Sequence, residues 1–294
     1  MGISVVDMRS ANADELFVDT LRRTGFAVLR NSSLTGNEGV DSEPDANEHA
    51  SRLARMAERW KAFFLGDEKW QYEATETESG NTSGYISPDV SETAVGHDKK
   101  DLKEFFHIVP DTRMPESLRA DTTGHLAAAQ QLGRQLLAWL DQHCASELPA
   151  EIRGQLSESL SPRDSLLRIL HYPPLEGVEP EGAVRAAAHE DINLLTLLPV
   201  SAEPGLQVLL RNGEWADVPG QFGDIIINSG DMLQEASKGA LPSTSHRVVN
   251  PEGPASRESR IAMPYFLAPR LDLPLSERYS AGSYLKERLE QLAR

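Results

Sequence analysis

From Ser165 onward the chain is divided into short apolar runs: Leu166 to Tyr172, Asn193 to Leu198, Leu206 to Leu210, Glu214 to Val218, Asp224 to Asn228, Thr244 to Val249 and Arg260 to Leu267. Turn-forming residues separate them. Many short strands at this spacing predict a β-sandwich or barrel. Asn212-Gly213 falls between two of the runs, and both residues tolerate the positive φ of a type I′ turn, so a hairpin is expected there.

The first half reads differently. A short strand at Ile3 to Val6 precedes a helix from about Asn12 to Thr24, in which Asn12 and Glu15 have capping-box spacing; Gly25 stops it, and Phe26 to Leu29 reads as a second strand. Leu53, Met56, Trp60 and Phe63 or Phe64 recur at helical spacing, as do Leu126, Ala129, Leu132, Leu136 and Trp139 or Leu140. The stretch 37–48 carries five acids and no Lys or Arg, and is expected to be a solvated loop. A charged helix closes the chain from Gly282 to Arg294. Residues 1–150 are expected to form a mixed helical region packed on a β core of residues 151–294, the two making one unit.

A single cysteine, Cys144, excludes an intrachain disulfide and any cysteine-based zinc or iron–sulfur site. Metal chemistry must therefore use His and carboxylates. One cysteine, no membrane-length apolar window and a start without signal-peptide character predict a soluble, cytoplasmic protein. With 29 Lys+Arg against 45 Asp+Glu, the formal charge is −16. That balance repels polyphosphate, so nucleic acid is not an expected partner, and it favours neutral or cationic small molecules as substrates.

His189-Glu190-Asp191 places an imidazole and a carboxylate two residues apart, on one face of an extended strand. Eight histidines and 45 acids in 294 residues give about one such match by chance, so the spacing alone decides nothing. Context adds to it, because His246 lies inside another predicted strand. Two His and one carboxylate form the facial triad of non-haem Fe(II) oxygenases, with coordination positions left open. Arg260 on an inward strand position is costly unless it meets an anion, and Tyr172 ends a strand where its hydroxyl can donate to the same anion. The plainer alternatives are polar residues without a metal, an internal salt bridge for Arg260 and a core tyrosine for Tyr172. Asn228 and Asp231 are expected to close a turn, Tyr85, Phe106 and Leu233 to wall a substrate pocket, and Cys144 to fill a helix face.

The ordered set of motifs resembles the isopenicillin N synthase-like branch of the Fe(II)/2-oxoglutarate-dependent dioxygenases over nearly the whole chain. It comprises Thr24-Gly25-Phe26-Ala27-Val28-Leu29, Tyr172-Pro173, His189-Glu190-Asp191, Gly205-Leu206-Gln207-Val208 with Gly213-Glu214-Trp215, Asn228-Ser229-Gly230-Asp231, and Ser245-His246-Arg247 followed by Arg260. The resemblance implies a mainly β fold with flanking helices, a distorted double-stranded β-helix or jelly roll. It implies Fe(II) on His189, Asp191 and His246, and 2-oxoglutarate held by Arg260 and Tyr172. The implied activity couples oxidative decarboxylation of 2-oxoglutarate by dioxygen to hydroxylation, desaturation or cyclisation of a small molecule. Asp191 in the carboxylate position argues against halogenation. One departure is visible: the family's Arg-x-Ser is Arg260-Ile261-Ala262, so a serine hydroxyl that shares the co-substrate carboxylate is missing. An oxidase that needs no 2-oxoglutarate, or a non-catalytic β-sandwich binding protein holding structural Zn(II), are the alternatives. Neither the primary substrate nor an oligomeric state is implied.

Overall fold

Local signals in the N-terminal half act largely as predicted. The computed structural model describes residues 2–32, 34, 46–76, 82–89 and 100–292. β1 (Val5–Asp7), α1 (Ala13–Thr24) and β2 (Phe26–Arg30) follow one another. α1 stops where Gly25 takes φ +70° and donates its N–H to Leu21 O, a left-handed cap that suits a residue without Cβ. Asn12 stands at the N-cap but makes no side-chain cap bond, so the expected capping box does not form. Asp14 and Glu15 in the first turn and Arg22 and Arg23 in the last instead complement the helix dipole.

α2 (Ala46–Leu65) buries Leu53, Met56, Trp60 and Phe64 as its spacing predicted. Of the expected acidic loop, residues 37–45 lie outside the described residues, and 46–48 are the first turn of α2 instead of loop. β3 (Thr75–Glu76), β4 (Thr82–Ile86) and β5 (Glu104–Ile108) precede α3 (Glu116–His143), which buries Leu132, Leu136 and Leu140, and the short α4 (Leu156–Ser159). Cys144, fully buried, caps the end of α3.

The apolar runs become β6 (Leu166–Tyr172), β8 (Leu195–Pro199), β9 (Leu206–Leu209), β10 (Trp215–Asp217), β11 (Ile225–Ser229), β12 (His246–Val248), β13 (Arg260–Ala262) and β14 (Tyr265–Leu267). After Ser165 two further elements lie outside the predicted runs, β7 (Ala186–His189) and α5 (Asp231–Ala236), as β3, β4, β5 and α4 do before it. α6 (Ala281–Leu292) follows. β9 and β10 form the predicted hairpin, but of Asn212 and Gly213 only Gly213 has positive φ, at +84°. Bonds from Gly213 N to Leu210 O and from Leu210 N to Glu214 O make this a type I turn closed by a left-handed glycine, not a type I′ turn.

A large sheet runs β1-β2-β11-β8-β14-β6-β5-β4-β3, with β13 also on β6, and a smaller one runs β10-β9-β12-β7. The sheets are not closed into a barrel. Period-2 alternation sorts the large sheet into two faces. Leu167 and Ile169, Leu195 and Leu197, Ile225 and Ile227, Tyr265 and Leu267 join the main core with helix residues such as Phe17, Trp60 and Leu136. Their alternates, among them Leu170, Tyr172, Ala262, Phe26 and Ile226, pack against Ala186, Val248 and Val208 of the small sheet. The fold is mainly β with flanking helices. Among the described residues no helix is long and apolar enough to cross a membrane.

Candidate metal centre

His189 on β7 and His246 on β12 are cross-strand partners in the small sheet, which sets their rings 4.4 Å apart between centroids. Asp191, two residues past His189, completes a group whose ligand atoms all lie within 4.8 Å of one another. His189 Nδ1 bonds Ala187 O at 2.8 Å and His246 Nδ1 bonds Thr244 O at 3.1 Å. A carbonyl accepts only from N–H, so each proton is fixed on Nδ1 and each Nε2 lone pair is left for a metal. Both Nε2 atoms face Asp191 Oδ1, at 4.0 and 3.8 Å, too far for a direct hydrogen bond. Two imidazole nitrogens and one carboxylate oxygen with a gap at their centre fit a divalent metal of the iron type.

Burial pushes the pKa of Asp191 up, but His246, His189 and hydrogen bonds from Thr196 and Asn228 outweigh it and keep the carboxylate below its ordinary range. For His189, surrounding protein first and His246 second push the pKa down to about 4, so the ring is neutral near pH 7. Thr196 Oγ1 and Asn228 Nδ2 both donate to Asp191 Oδ2, at 2.5 and 2.8 Å, and Asn193 Nδ2 donates to Thr196 Oγ1 at 2.9 Å. Asn228 thus does not close a turn; it is a buried residue inside β11, and Asp231 opens α5.

Arg260 and Tyr172 are cross-strand partners of β13 and β6, in the same cavity as the triad. The Arg260 guanidinium lies 5.3 Å from the Tyr172 ring centroid, and Arg260 is 3% exposed. Its Nε donates to the Glu203 carbonyl at 3.3 Å, while Nη1 is buried without a hydrogen-bond partner among the described residues. A buried guanidinium with an unmet donor is costly, and a carboxylate co-substrate supplies what it lacks. Ala262 faces Leu170 across the strands, so the wall beside Arg260 is apolar where a serine was missed.

Residues the sequence did not single out complete the surroundings. Arg185 is fully buried, donates from Nη2 to Glu258 O at 2.9 Å, and stands 6.0 Å from the Tyr172 ring centroid. Lys103 and Arg168 line the cavity, and Lys103 pairs with Asp101 at 2.6 Å. Nothing local marks these three: Arg168 lies on one of two alternating faces of β6, and Lys103 and Arg185 stand just before β5 and β7, where only the tertiary fold turns them inward. Tyr85, Phe106 and Leu233, expected in a substrate wall, lie in the main core on the opposite face.

Residues 163–269 match the sequence model of the 2OG-Fe(II) oxygenase superfamily. Gibberellin 2-beta-dioxygenase 3 of Arabidopsis thaliana is 34% identical over 141 residues, 47% of this chain and 40% of its own length. The gibberellin 2-beta-dioxygenase of Phaseolus coccineus is 29% identical over 276 residues, 92% of this chain and 77% of its own. The chain thus spans less than half the length of the first of these relatives. A crystal structure of a protein from Shewanella oneidensis, assigned as an oxygenase, superimposes with a TM-score of 0.81 at 42% identity, covering 100% of this chain and 99% of the other. Agreement in sequence along the core strands and in fold along the whole chain places this protein in the 2OG-Fe(II) oxygenase superfamily.

Proposed function

We propose that the protein is an Fe(II)- and 2-oxoglutarate-dependent oxygenase acting on a small molecule, with His189, Asp191 and His246 as iron ligands and Arg260 and Tyr172 as the anchor for the far carboxylate of 2-oxoglutarate. One observation carries the reading: buried Arg260, whose Nη1 has no hydrogen-bond partner among the described residues, lines the same cavity as the triad. When bound, Fe(II) with 2-oxoglutarate and dioxygen supplies the oxidising power for attack on an unactivated C–H bond, with succinate and carbon dioxide as co-products.

The chain's own residues position and exclude. The carbonyls of Ala187 and Thr244 lock the two imidazoles, and Thr196 with Asn228 turns Oδ1 of Asp191 toward them. Arg260, held by the Glu203 carbonyl, presents its remaining donors to a carboxylate, with Tyr172 beside it. Leu198, Leu206, Val248 and Ala262 line the cavity with apolar surface that keeps water from the anion. The buried Cys144 thiol, its pKa pushed up to about 12 chiefly by burial, is unreactive and suits a reducing cytoplasm.

Aerobic incubation with Fe(II), ascorbate and 2-oxoglutarate is expected to release succinate, and omission of 2-oxoglutarate to abolish it. Asp191→Ala is expected to remove Fe(II)-dependent binding of 2-oxoglutarate while the protein still folds and unfolds in one cooperative urea transition. Absence of both succinate and metal-dependent 2-oxoglutarate binding in the unaltered protein would overturn the proposal. Turnover without 2-oxoglutarate would favour the oxidase alternative.

A further inference from the structure

Arg185 has no exposed surface, and its place is fixed from several sides. Its backbone N–H donates to Asn250 Oδ1 at 2.9 Å, Asn250 Nδ2 donates in turn to Ala183 O at 2.8 Å, and Arg185 Nη2 donates to Glu258 O at 2.9 Å. Nε and Nη1 are buried with no hydrogen-bond partner among the described residues. The guanidinium stands 6.0 Å from the Tyr172 ring centroid, and that of Arg260 stands 5.3 Å from the same ring. Two buried cations therefore flank one tyrosine.

Like charges repel strongly where water is excluded. Burial first and Arg260 second push the pKa of Arg185 below the usual guanidinium value. Each guanidinium is held by a backbone carbonyl, Glu258 O or Glu203 O, and not by an acid. The half-buried Glu203 carboxylate is the acid that acts on both, through space, among the described residues. Two guanidinia against one carboxylate leave one positive charge at this end of the cavity. Buried charge is costly unless it is matched. The far carboxylate of 2-oxoglutarate carries the missing negative charge. At the other end, the two charges of Fe(II) are met by Asp191 and by the carboxylate beside the keto group. The cavity wall itself is formed by Tyr172 and Ala186, with Arg185 beyond it.

We infer that Arg185 is a positioning residue for the co-substrate: with Arg260 and Glu203 it sets one net positive charge around Tyr172, which selects a 2-oxo acid bearing a second carboxylate. It acts through its charge and not by contact, and so offsets the serine hydroxyl that Ala262 lacks. This rests on the oxygenase reading and adds a residue to its co-substrate site.

Calorimetric titration of Mn(II)-loaded protein with 2-oxoglutarate and with 2-oxovalerate, which ends in a methyl group in place of the far carboxylate, tests the inference. The unaltered protein is expected to prefer 2-oxoglutarate. Arg185→Met is expected to shrink that preference about tenfold or more, as loss of a nearby opposite charge does, with binding of 2-oxovalerate and of Mn(II) alone unchanged. Arg185→Lys keeps the charge and is expected to retain part of the preference. Glu203→Gln removes the opposing charge and keeps the carbonyl that holds Arg260, so it is expected to enlarge the preference, by less because Glu203 keeps contact with solvent. An unchanged preference in Arg185→Met, a loss shared equally by the two acids, or a smaller preference in Glu203→Gln overturns the inference. The Glu203→Gln comparison stands even if Arg185→Met does not fold. Failure of the unaltered protein to bind 2-oxoglutarate at all would instead count against the oxygenase reading.

Discussion

Asp191 owes its direction to residues on two other strands. Thr196 of β8 and Asn228 of β11 both donate to Oδ2, leaving Oδ1 toward the imidazoles. Donors of this kind typically change metal affinity by about 10- to 100-fold. Thr196→Val keeps the shape and deletes the hydroxyl, so Mn(II) affinity is expected to fall within that range; an unchanged affinity would show that Asn228 alone orients the carboxylate. Ala262 offers the converse case, a residue whose gain can be read. It is 3% exposed and faces the cavity beside Arg260. Ala262→Ser adds one hydroxyl with little change of volume, and a net hydrogen bond contributes roughly 0.5–1.5 kcal/mol. The concentration of 2-oxoglutarate at half-maximal turnover is expected to fall by about 2- to 12-fold, and a rise would mean that the hydroxyl is not reached by the carboxylate.

At the scale of elements, Glu104 ties β5 to its surroundings through Lys69 at 2.9 Å, Tyr85 on β4 at 2.5 Å and His171 on β6 at 2.7 Å. Burial raises its pKa, but these three partners outweigh burial and hold it below the model-peptide value of 4.5. A carboxyl whose folded pKa is depressed contributes stability above its unfolded pKa, and that contribution disappears as pH falls through the folded value. Between pH 5 and 3 the wild-type urea midpoint is therefore expected to fall more steeply than that of Glu104→Gln, with the variant less stable at pH 7. Parallel slopes would contradict the assignment. The strands that carry His246 and Arg260 were legible because short β-prone runs, Val248-Val249 and Ile261 to Leu267, adjoin them between turn-forming residues. β7 was missed because Ala186-Ala187-Ala188 carries no strand signature, and only pairing with β12 makes it one. Asn228 was misplaced because Asn-Ser-Gly-Asp has turn composition, whereas β11 runs on to Ser229 and only Gly230 and Asp231 leave the sheet. Arg168 was illegible for a different reason: a strand sequence shows two faces but not which one the helices cover.

Across the whole molecule, the two halves of the chain share one sheet. β2 pairs with β11 on one side, and β5 pairs with β6 on the other, so strands from residues 1–150 flank the strands that carry Tyr172, Thr196, Asn228 and Arg260. The outer face of those strands, with Leu195, Leu197, Ile227, Tyr265 and Leu267, is buried only in a core that also contains Phe17, Trp60, Leu132 and Leu136. Removing residues 1–150 would strip two edges of their backbone partners and open that face to water, a combination that favours aggregation over folding. The full chain is therefore expected to unfold in one urea transition, with tryptophan fluorescence and far-UV circular dichroism coinciding. Residues 151–294 alone, although they contain the triad and Arg260, are expected to bind a hydrophobic dye, melt without cooperativity and show no Mn(II)-dependent binding of 2-oxoglutarate. A cooperative melt of that fragment would mean that the sheet closes its own edges and that the N-terminal half is an addition to the site instead of part of its foundation.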